Sequence, residues 1–375
     1  MSHYDLRLTD SHGRVLLDRH GRQVLSRAAS FSASRTANRI AQFSMVLPPD
    51  VDPSLVRDDN MVQVWRQPDG GALGLWRVYF IRKRHWKTQG GDETLTISGP
   101  DCNDILRRRV VAARPNNSQV DKVQPIDNMM KEIVLEAFAD GANPSPAFGT
   151  RANDRLSIAA DTSQGPIVQI SFPWAKLLTY GGSGLFPKLT EIARAEEVPI
   201  YFDVVPDKVT AEEITFRFNT YAYYPGSDLT DRVTFSLAQG NMENPEYIED
   251  ATRAEDYIYV FGQGEGSDQK VEQVYDTDRV RKSAWGRVEG VQDATSQPDD
   301  AVADAGRSAL TSRRPKRSFF ADPVSTRDTT FGVDWNWGDK VRAQYHGRFD
   351  AVVESITLRV EGGDEHIEGR LRSEE

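Results

Sequence analysis

Cysteine occurs once in this chain, at Cys102, which excludes an internal disulfide and a metal cage built from thiolates alone. Its flanks, Gly99-Pro100-Asp101 and Asn103-Asp104-Ile105, bring acids and no base, so nothing local lowers the thiol pKa and a buried, inert side chain is expected. No apolar run approaches the roughly 18 residues needed to cross a bilayer, so stable membrane insertion is not expected. The opening Met1-Ser2-His3-Tyr4-Asp5-Leu6-Arg7-Leu8 lacks the basic flank, apolar stretch and small-residue cleavage site of a signal peptide, which points to synthesis in a cytoplasm. Gly-Lys-Ser and Gly-Lys-Thr are absent, excluding a Walker-type phosphate cradle.

Catalytic patterns are equally scarce. The six histidines, His3, His12, His20, His85, His346 and His366, include no pair at the helical spacing of a zinc protease. Three of them, His12, His20 and His346, sit beside glycine in predicted turns. Gly262-Gln263-Gly264-Glu265-Gly266 follows a predicted strand but leads into polar residues, which suits a hairpin loop better than a nucleotide site. Gly181-Gly182-Ser183-Gly184 brings its second glycine one place too early for a nucleophile elbow and reads as a flexible turn. Carboxylates are abundant, yet nothing singles out the pair a glycosidase needs. No catalytic, cofactor-binding or metal-ligating residue is therefore assigned, and an enzyme is not expected.

What the chain does contain is 38% apolar and 27% charged residues over 375 positions, the balance of a soluble protein with two to four structural units. Its charge of −10 is unevenly spread. The first 115 residues carry 18 Lys+Arg against 12 Asp+Glu, a net of +6, and the remainder is net −16. An acidic excess disfavours duplex DNA as a ligand, because neutralising phosphates takes Lys and Arg.

Strand signals dominate the first hundred residues. Tyr4–Leu8 alternates, and Gly13–Leu17 and Gly21–Leu25 flank a predicted turn at Asp18–Gly21. Further strands are predicted at Ile40–Leu47, stopped by Pro48-Pro49, and at Met61–Arg66, Leu75–Ile81 and Glu93–Gly99, with turns at Pro68–Gly71 and Gly90–Asp92. Asp101 is placed to N-cap a helix over Cys102–Arg109. Residues 1–112 are thus expected to form a small antiparallel barrel.

Residues 113–230 read as an α+β insertion whose last strands could rejoin that barrel. After loop-like Asn116-Asn117-Ser118, a helix over Pro125–Phe138 places Ile126, Met129, Met130, Ile133, Val134 and Phe138 on one face. Breaker-rich Asp140–Gly149 precedes a second predicted helix at Phe186–Glu197 and strands at Val198–Val205 and Ile214–Tyr221. Residues 231–375 are expected to form a second barrel. Its predicted strands are Val233–Leu237, Tyr257–Gly262, Val271–Tyr275, Trp285–Glu289, Phe349–Val360 and His366–Leu371, with one helix at Pro298–Thr311 and a hairpin turn at Glu361–Asp364. The fold class is mainly β: two small antiparallel, tube-like barrels with a mixed middle domain. Seven tryptophans are present, and Trp335 and Trp337, two apart, would share a face of a strand. They could form an apolar patch for packing between domains or subunits, or for stacking on sugars.

The order of these segments resembles that of the hub proteins at the tail tip or baseplate of long-tailed bacteriophages and related contractile injection particles. Asn38-Arg39-Ile40-Ala41-Gln42-Phe43-Ser44-Met45-Val46-Leu47-Pro48 and Val62-Gln63-Val64-Trp65-Arg66 are similar to early segments of that family. So are Gly74–Ile81, Leu95–Asp101 and the leucine–arginine stretch Ile105–Arg109. Near the other end, Trp337-Gly338-Asp339-Lys340-Val341 is similar to the family's Gly-Asp-x-Val turn between barrel strands. Trp65, Trp335, Trp337, Gly338, Asp339 and Val341 are accordingly taken as the structural motif. The terminal thirds carry the resemblance, and the middle third matches only in layout.

The resemblance implies a virion tail protein, made in the bacterial host cytoplasm, that forms a homotrimer. Two barrels per chain would let a threefold hub match a sixfold tail tube. Implied partners are the distal tail or tail tube protein, the tape-measure protein, and tip or fibre proteins. No sequence-specific nucleic acid is implied; the genome passes through the channel, whose lining the acidic excess would supply in part. The alternatives are a sixfold distal-tail or adhesin-carrier component that binds host carbohydrate, and a tail-associated cell-wall hydrolase.

Overall fold

Residues that alternate in sequence also alternate in burial. In the computed structural model β1 (His3–Thr9) buries Leu6 and Leu8, and β2 (Ser30–Thr36) buries Phe31 and Ala33. In β3 (Gln42–Val46), Phe43 and Met45 face the core while Gln42, Ser44 and Val46 face solvent. β4 (Met61–Gln67) and β5 (Gly74–Phe80) are buried on both faces over much of their length. β6 (Lys83–Gln89) and β7 (Asp92–Pro100) follow. The helix expected over Cys102–Arg109 is a single turn, α1 (Asp104–Arg107). Asp101 accepts the Asn103 amide at 3.2 Å with one carboxylate oxygen, as the expected cap does, and its other oxygen enters a buried ion pair with Arg77.

The structure describes residues 2–18, 20–25, 30–47, 51–89, 92–111, 119–138, 152–173, 189–190, 199–295 and 302–374. Pro48-Pro49, Gly90-Gly91, Asn116–Ser118, Asp140–Gly149, Gly181–Gly184 and most of the helix expected at Phe186–Glu197 lie outside them, as does the start of the Pro298–Thr311 helix.

The middle segment begins with β8 (Gln119–Pro125), which runs directly into α2 (Ile126–Phe138). All six residues of the predicted helical stripe, from Ile126 to Phe138, are buried. β9 (Leu156–Ile158), β10 (Ile167–Pro173), β11 (Ile200–Val209) and β12 (Ile214–Ala222) complete it. β8 pairs with β10, while β12 lies between β11 and β9 and carries Phe216 and Phe218 into the core against α2. That core also takes in Met61, Val78, Phe80, Cys102 and Leu106, so the middle segment and the first strands share one apolar interior.

Next come β13 (Thr234–Ser236), β14 (Met242–Asp250), β15 (Tyr257–Phe261), β16 (Val271–Tyr275), α3 (Thr277–Lys282), β17 (Glu289–Asp293) and α4 (Val302–Ser312). The last strands are β18 (Lys316–Pro323), β19 (Lys340–Gln344), β20 (Arg348–Glu361) and β21 (Asp364–Glu374). The chain divides into two compact units, residues 1–244 with 321–371, and residues 245–320 with 372–375. β14 and β18 are the strands by which the chain leaves the first unit and re-enters it.

The fold is mainly β, as the alternation predicts, but the two closed barrels are not found among the described residues. The strands form open sheets, the largest ten-stranded in the order β14-β18-β21-β20-β2-β3-β7-β6, with β19 on β20 and β13 on β19. The reason lies in β20, which is long enough to pair with β19 along one stretch and with β2 along another, joining strands from both ends of the sequence. A second sheet runs β1-β4-β5.

In the smaller unit β15 lies between antiparallel β16 and parallel β17, and α4 packs Val302 and Ala309 on Ile258 and Val260. Gly262–Gly266 is the β15–β16 hairpin loop, as its sequence suggests. The strand expected at Trp285–Glu289 starts instead at Glu289, because Gly286 turns the chain at φ +81 and leaves Trp285 97% exposed.

Candidate functional site

The motif residues near the C-terminus form a buried corner. Gly338 sits at φ +85, a conformation that costs a residue with a Cβ but not glycine. There its N–H donates to Val353 O at 2.9 Å and its carbonyl accepts from Gly226 N at 2.8 Å. Asp339 turns its carboxylate onto two backbone amides, Ser227 N at 2.8 Å and Asn336 N at 2.7 Å. Burial pushes this carboxyl above its ordinary pKa, and the two amides act the other way. Val341 is buried opposite Ala351 on β20. A side chain at Gly226 would place its Cβ 2.3 Å from Asp339 Oδ1, so the loop and the turn approach as closely as backbone allows.

Trp335 and Trp337 are both buried within the chain rather than presented as a patch. Trp335 meets Phe235 edge-on at 5.3 Å and Phe331 at 5.0 Å, and its indole donates to Thr329 O. Trp337 donates to Glu354 O at 3.0 Å and lies under the Arg35 guanidinium, 3.8 Å from ring centre. A sugar platform on this pair is thereby excluded, since neither ring face is open. Trp65 stays apart from the corner: Arg7 covers its ring at 4.3 Å, and its indole donates to Gln63.

Arg35 leads from this corner into an ionic brace. It donates to Asp203 of β11 at 2.7 Å. Asp203 also accepts from Arg77 of β5 at 2.7 and 3.0 Å, and Arg77 donates in turn to Asp101 at the end of β7 and to Val204 O. Arg77, Asp101 and Asp203 are essentially inaccessible to water. Burial is the main influence on both carboxyls, but its outcome differs. Asp101, with one arginine and with Asp203 nearby, is pushed up to about 6. In Asp203 the two arginines outweigh burial and hold the carboxyl below its ordinary value. Neutral bonds surround the brace: Asn38 and Asn103 each bridge to β11 through backbone partners, and Tyr79 donates to Ser34 O. Cys102 is buried beside it, its Sγ 2.9 Å from Val204 O and its thiol pushed up to about 12 by burial.

A second clasp closes the first unit at its N-terminus. Arg66 of β4 donates to Glu365 of β21 at 2.7 and 3.1 Å and to Phe331 O at 3.1 Å. Ser2 and Tyr4 donate to the same carboxylate. The ionisable groups of these two clusters are thus committed to holding sheets together. A cavity of about 360 Å³ lies between Met61, Phe80, Phe138 and Phe216; on its rim Arg108 pairs with Asp59, Arg155 donates to Ser11 O, and Arg109 lies over the Phe138 ring with its Nε unbonded. Among the described residues no three His, Cys, Asp or Glu side chains converge as metal ligands, and no helix is long and apolar enough to cross a membrane.

Sequence reasoning missed both braces. The available signal was weak: Arg66 and Arg77 stand inside otherwise apolar strands, where a charge needs a partner.

Residues 20–368 match the model of the Siphovirus ReqiPepy6 Gp37-like proteins. Three solved structures share the fold over nearly the whole chain. The tail protein from Neisseria meningitidis MC58 is 14% identical with a TM-score of 0.50, over 99% of this chain and 96% of that one. Prophage tail protein gp18 from Listeria monocytogenes EGD-e is 10% identical at a TM-score of 0.51, over 98% and 94%. The 43 kDa tail protein of prophage MuSo2 from Shewanella oneidensis is 11% identical at 0.52, over 98% and 97%. No curated protein sequence matches.

Proposed function

The chain belongs to the Siphovirus ReqiPepy6 Gp37-like family, and on that premise we propose that it is a structural protein of the tail tip or baseplate, three copies of which form the hub. The observation that carries this reading is the fold shared with phage tail proteins along almost the full length of both chains. The hub would adapt the sixfold tube above it to the central tip, contact the distal tail or tube protein, the tape-measure protein and tip or fibre proteins, and open to pass DNA.

The two braces fit that mechanical role. Tail components transmit force, and a buried, hydrogen-bonded ion network resists shear between sheets because separating it exposes unpaired charge in a dry interior. The Gly338–Asp339 corner serves the same end, locking the β19–β20 ladder to the 226–228 loop. The role is structural rather than catalytic, since the interior carboxylates are occupied as acceptors. The acidic excess of residues 116–375 lines part of the channel and repels phosphate in this account.

The test is the mass of the full chain in solution and its image in the particle. Three copies around a hole are expected. Six copies, or hydrolysis of cell-wall substrate by the purified chain, would overturn the hub assignment.

A further inference from the structure

We propose that the two outermost strands of the ten-stranded sheet are complementary halves of one interface, the edge of β6 in one copy pairing with the edge of β14 in the next. This rests on the ring reading and adds to it the surfaces by which the copies join.

Among the described residues β6 has β7 as its one strand neighbour and β14 has β18, so each offers a row of backbone N–H and C=O groups along its outer edge. Both strands are also poorly covered on their faces. In β6, Lys83, His85, Trp86, Lys87 and Thr88 are all exposed, Trp86 by 49%. In β14, Glu243, Asn244, Glu246, Ile248, Glu249 and Asp250 are exposed, Ile248 by 40%. Pro245 lies within β14, and proline is tolerated in a sheet where no ladder bond is asked of its nitrogen, as on an edge.

The charges of the two edges are opposite. β6 carries Lys83, Arg84 and Lys87 with no acid; β14 carries Glu243, Glu246, Glu249 and Asp250 with no base. Some of these meet partners in their own chain, Arg84 with Asp58 at 2.8 Å and Glu249 with Arg317 at 3.4 Å, but those bridges are solvent-exposed and weak. Like edges therefore repel, which disfavours the isologous pairs β6–β6 and β14–β14. Unlike edges attract. Pairing β6 with β14 is heterologous, the kind of contact that forms a ring when its rotation closes and an open filament when it does not.

Side-chain parity agrees. Residues directly opposite in neighbouring strands point to the same face. Setting Trp86 beside Ile248 covers both exposed apolar side chains. It also puts Lys83, His85 and Lys87 on the face of Tyr247 and Glu249, and Arg84 on the face of Glu246 and Asp250; Asn244, at φ +47, interrupts the alternation before Pro245. Both faces then carry opposite charges in contact.

The experiment uses full-length Trp86→Cys and Ile248→Cys chains, with Cys102 shielded by burial. Under mild oxidation a mixture of the two forms the mixed disulfide while each alone does not, and a chain carrying both substitutions yields covalently closed trimers. In parallel, Lys83→Glu with Lys87→Glu weakens assembly at least tenfold, and adding Glu249→Lys to that same chain restores it. A trimer that gives no mixed disulfide and is indifferent to both charge reversals refutes the edge pairing and leaves the ring reading standing. A chain that stays monomeric and gives no mixed disulfide refutes both.

Discussion

Arg66 and Glu365 stand 299 positions apart in the chain and 2.7 Å apart in the fold, with Phe331 stacked on the guanidinium at 4.7 Å. The pair fastens the second strand of one sheet to the last strand of another. Replacing Arg66 by Ala leaves Glu365 half-buried with only hydroxyl donors and uncovers Phe331. A loss of about 2–4 kcal/mol in unfolding free energy is expected from urea titration. A change within experimental error would show that the clasp carries no load. The Glu365 carboxyl is held below its ordinary value because Arg66 and Tyr4 outweigh its burial, so its contribution is present above the ordinary carboxylate range and disappears as pH falls through the depressed value.

Asp101 and Asp203 share Arg77 but respond oppositely to substitution and pH. Asp203→Asn strands two arginines and is expected to cost about 3–5 kcal/mol, against a smaller loss for Asp101→Asn, which leaves Arg77 its second partner. The folded chain protonates Asp101 more readily than the unfolded chain between 3.8 and about 6. The stability this group confers is therefore full at low pH and lost as pH rises through about 6. Asp203 acts the other way, its contribution being present above 3.8 and lost as pH drops below it. Melting temperatures across this window should show a shallower fall toward neutral pH in Asp101→Asn than in the natural chain. Parallel curves would contradict the assignment.

Gly338→Ala forces a Cβ into φ +85 and to 2.9 Å from Pro225. Backbone strain of about 1–3 kcal/mol is expected, visible as a lower denaturation midpoint with unchanged cooperativity. Asp339→Ala should cost a similar amount by freeing two backbone amides.

Cys102 should resist thiol reagents in the native chain and react fully once unfolded, because its thiol is buried and pushed up to about 12. Rapid labelling at neutral pH would mean that the β5–β11 seam opens.

Much of this fold was readable where apolar residues set the period. β1, β3, β4, β5 and α2 fall within a few residues of their expected bounds. The missed strands are polar ones. β2 reads Ser-Phe-Ser-Ala-Ser-Arg-Thr and β6 reads Lys-Arg-His-Trp-Lys-Thr-Gln, with too few apolar residues for alternation to register. β2 is also the strand that joins β20 to β3, so overlooking it made two barrels out of one continuous sheet. The ionic braces were hidden for another reason. A charged residue reads as surface unless its partner is known, and the partners of Arg77 and Arg66 lie up to 299 positions away. Asp101 reads as the cap of a short helix and does accept the Asn103 amide, but nothing in the sequence marks its ion pair with Arg77.

The most direct test of the central claim is an image of the tail tip with this chain located by an added tag. The account predicts three copies in one ring around an open axis, each joined to the next along a sheet edge. A single copy off the axis, or six in a ring, would contradict it.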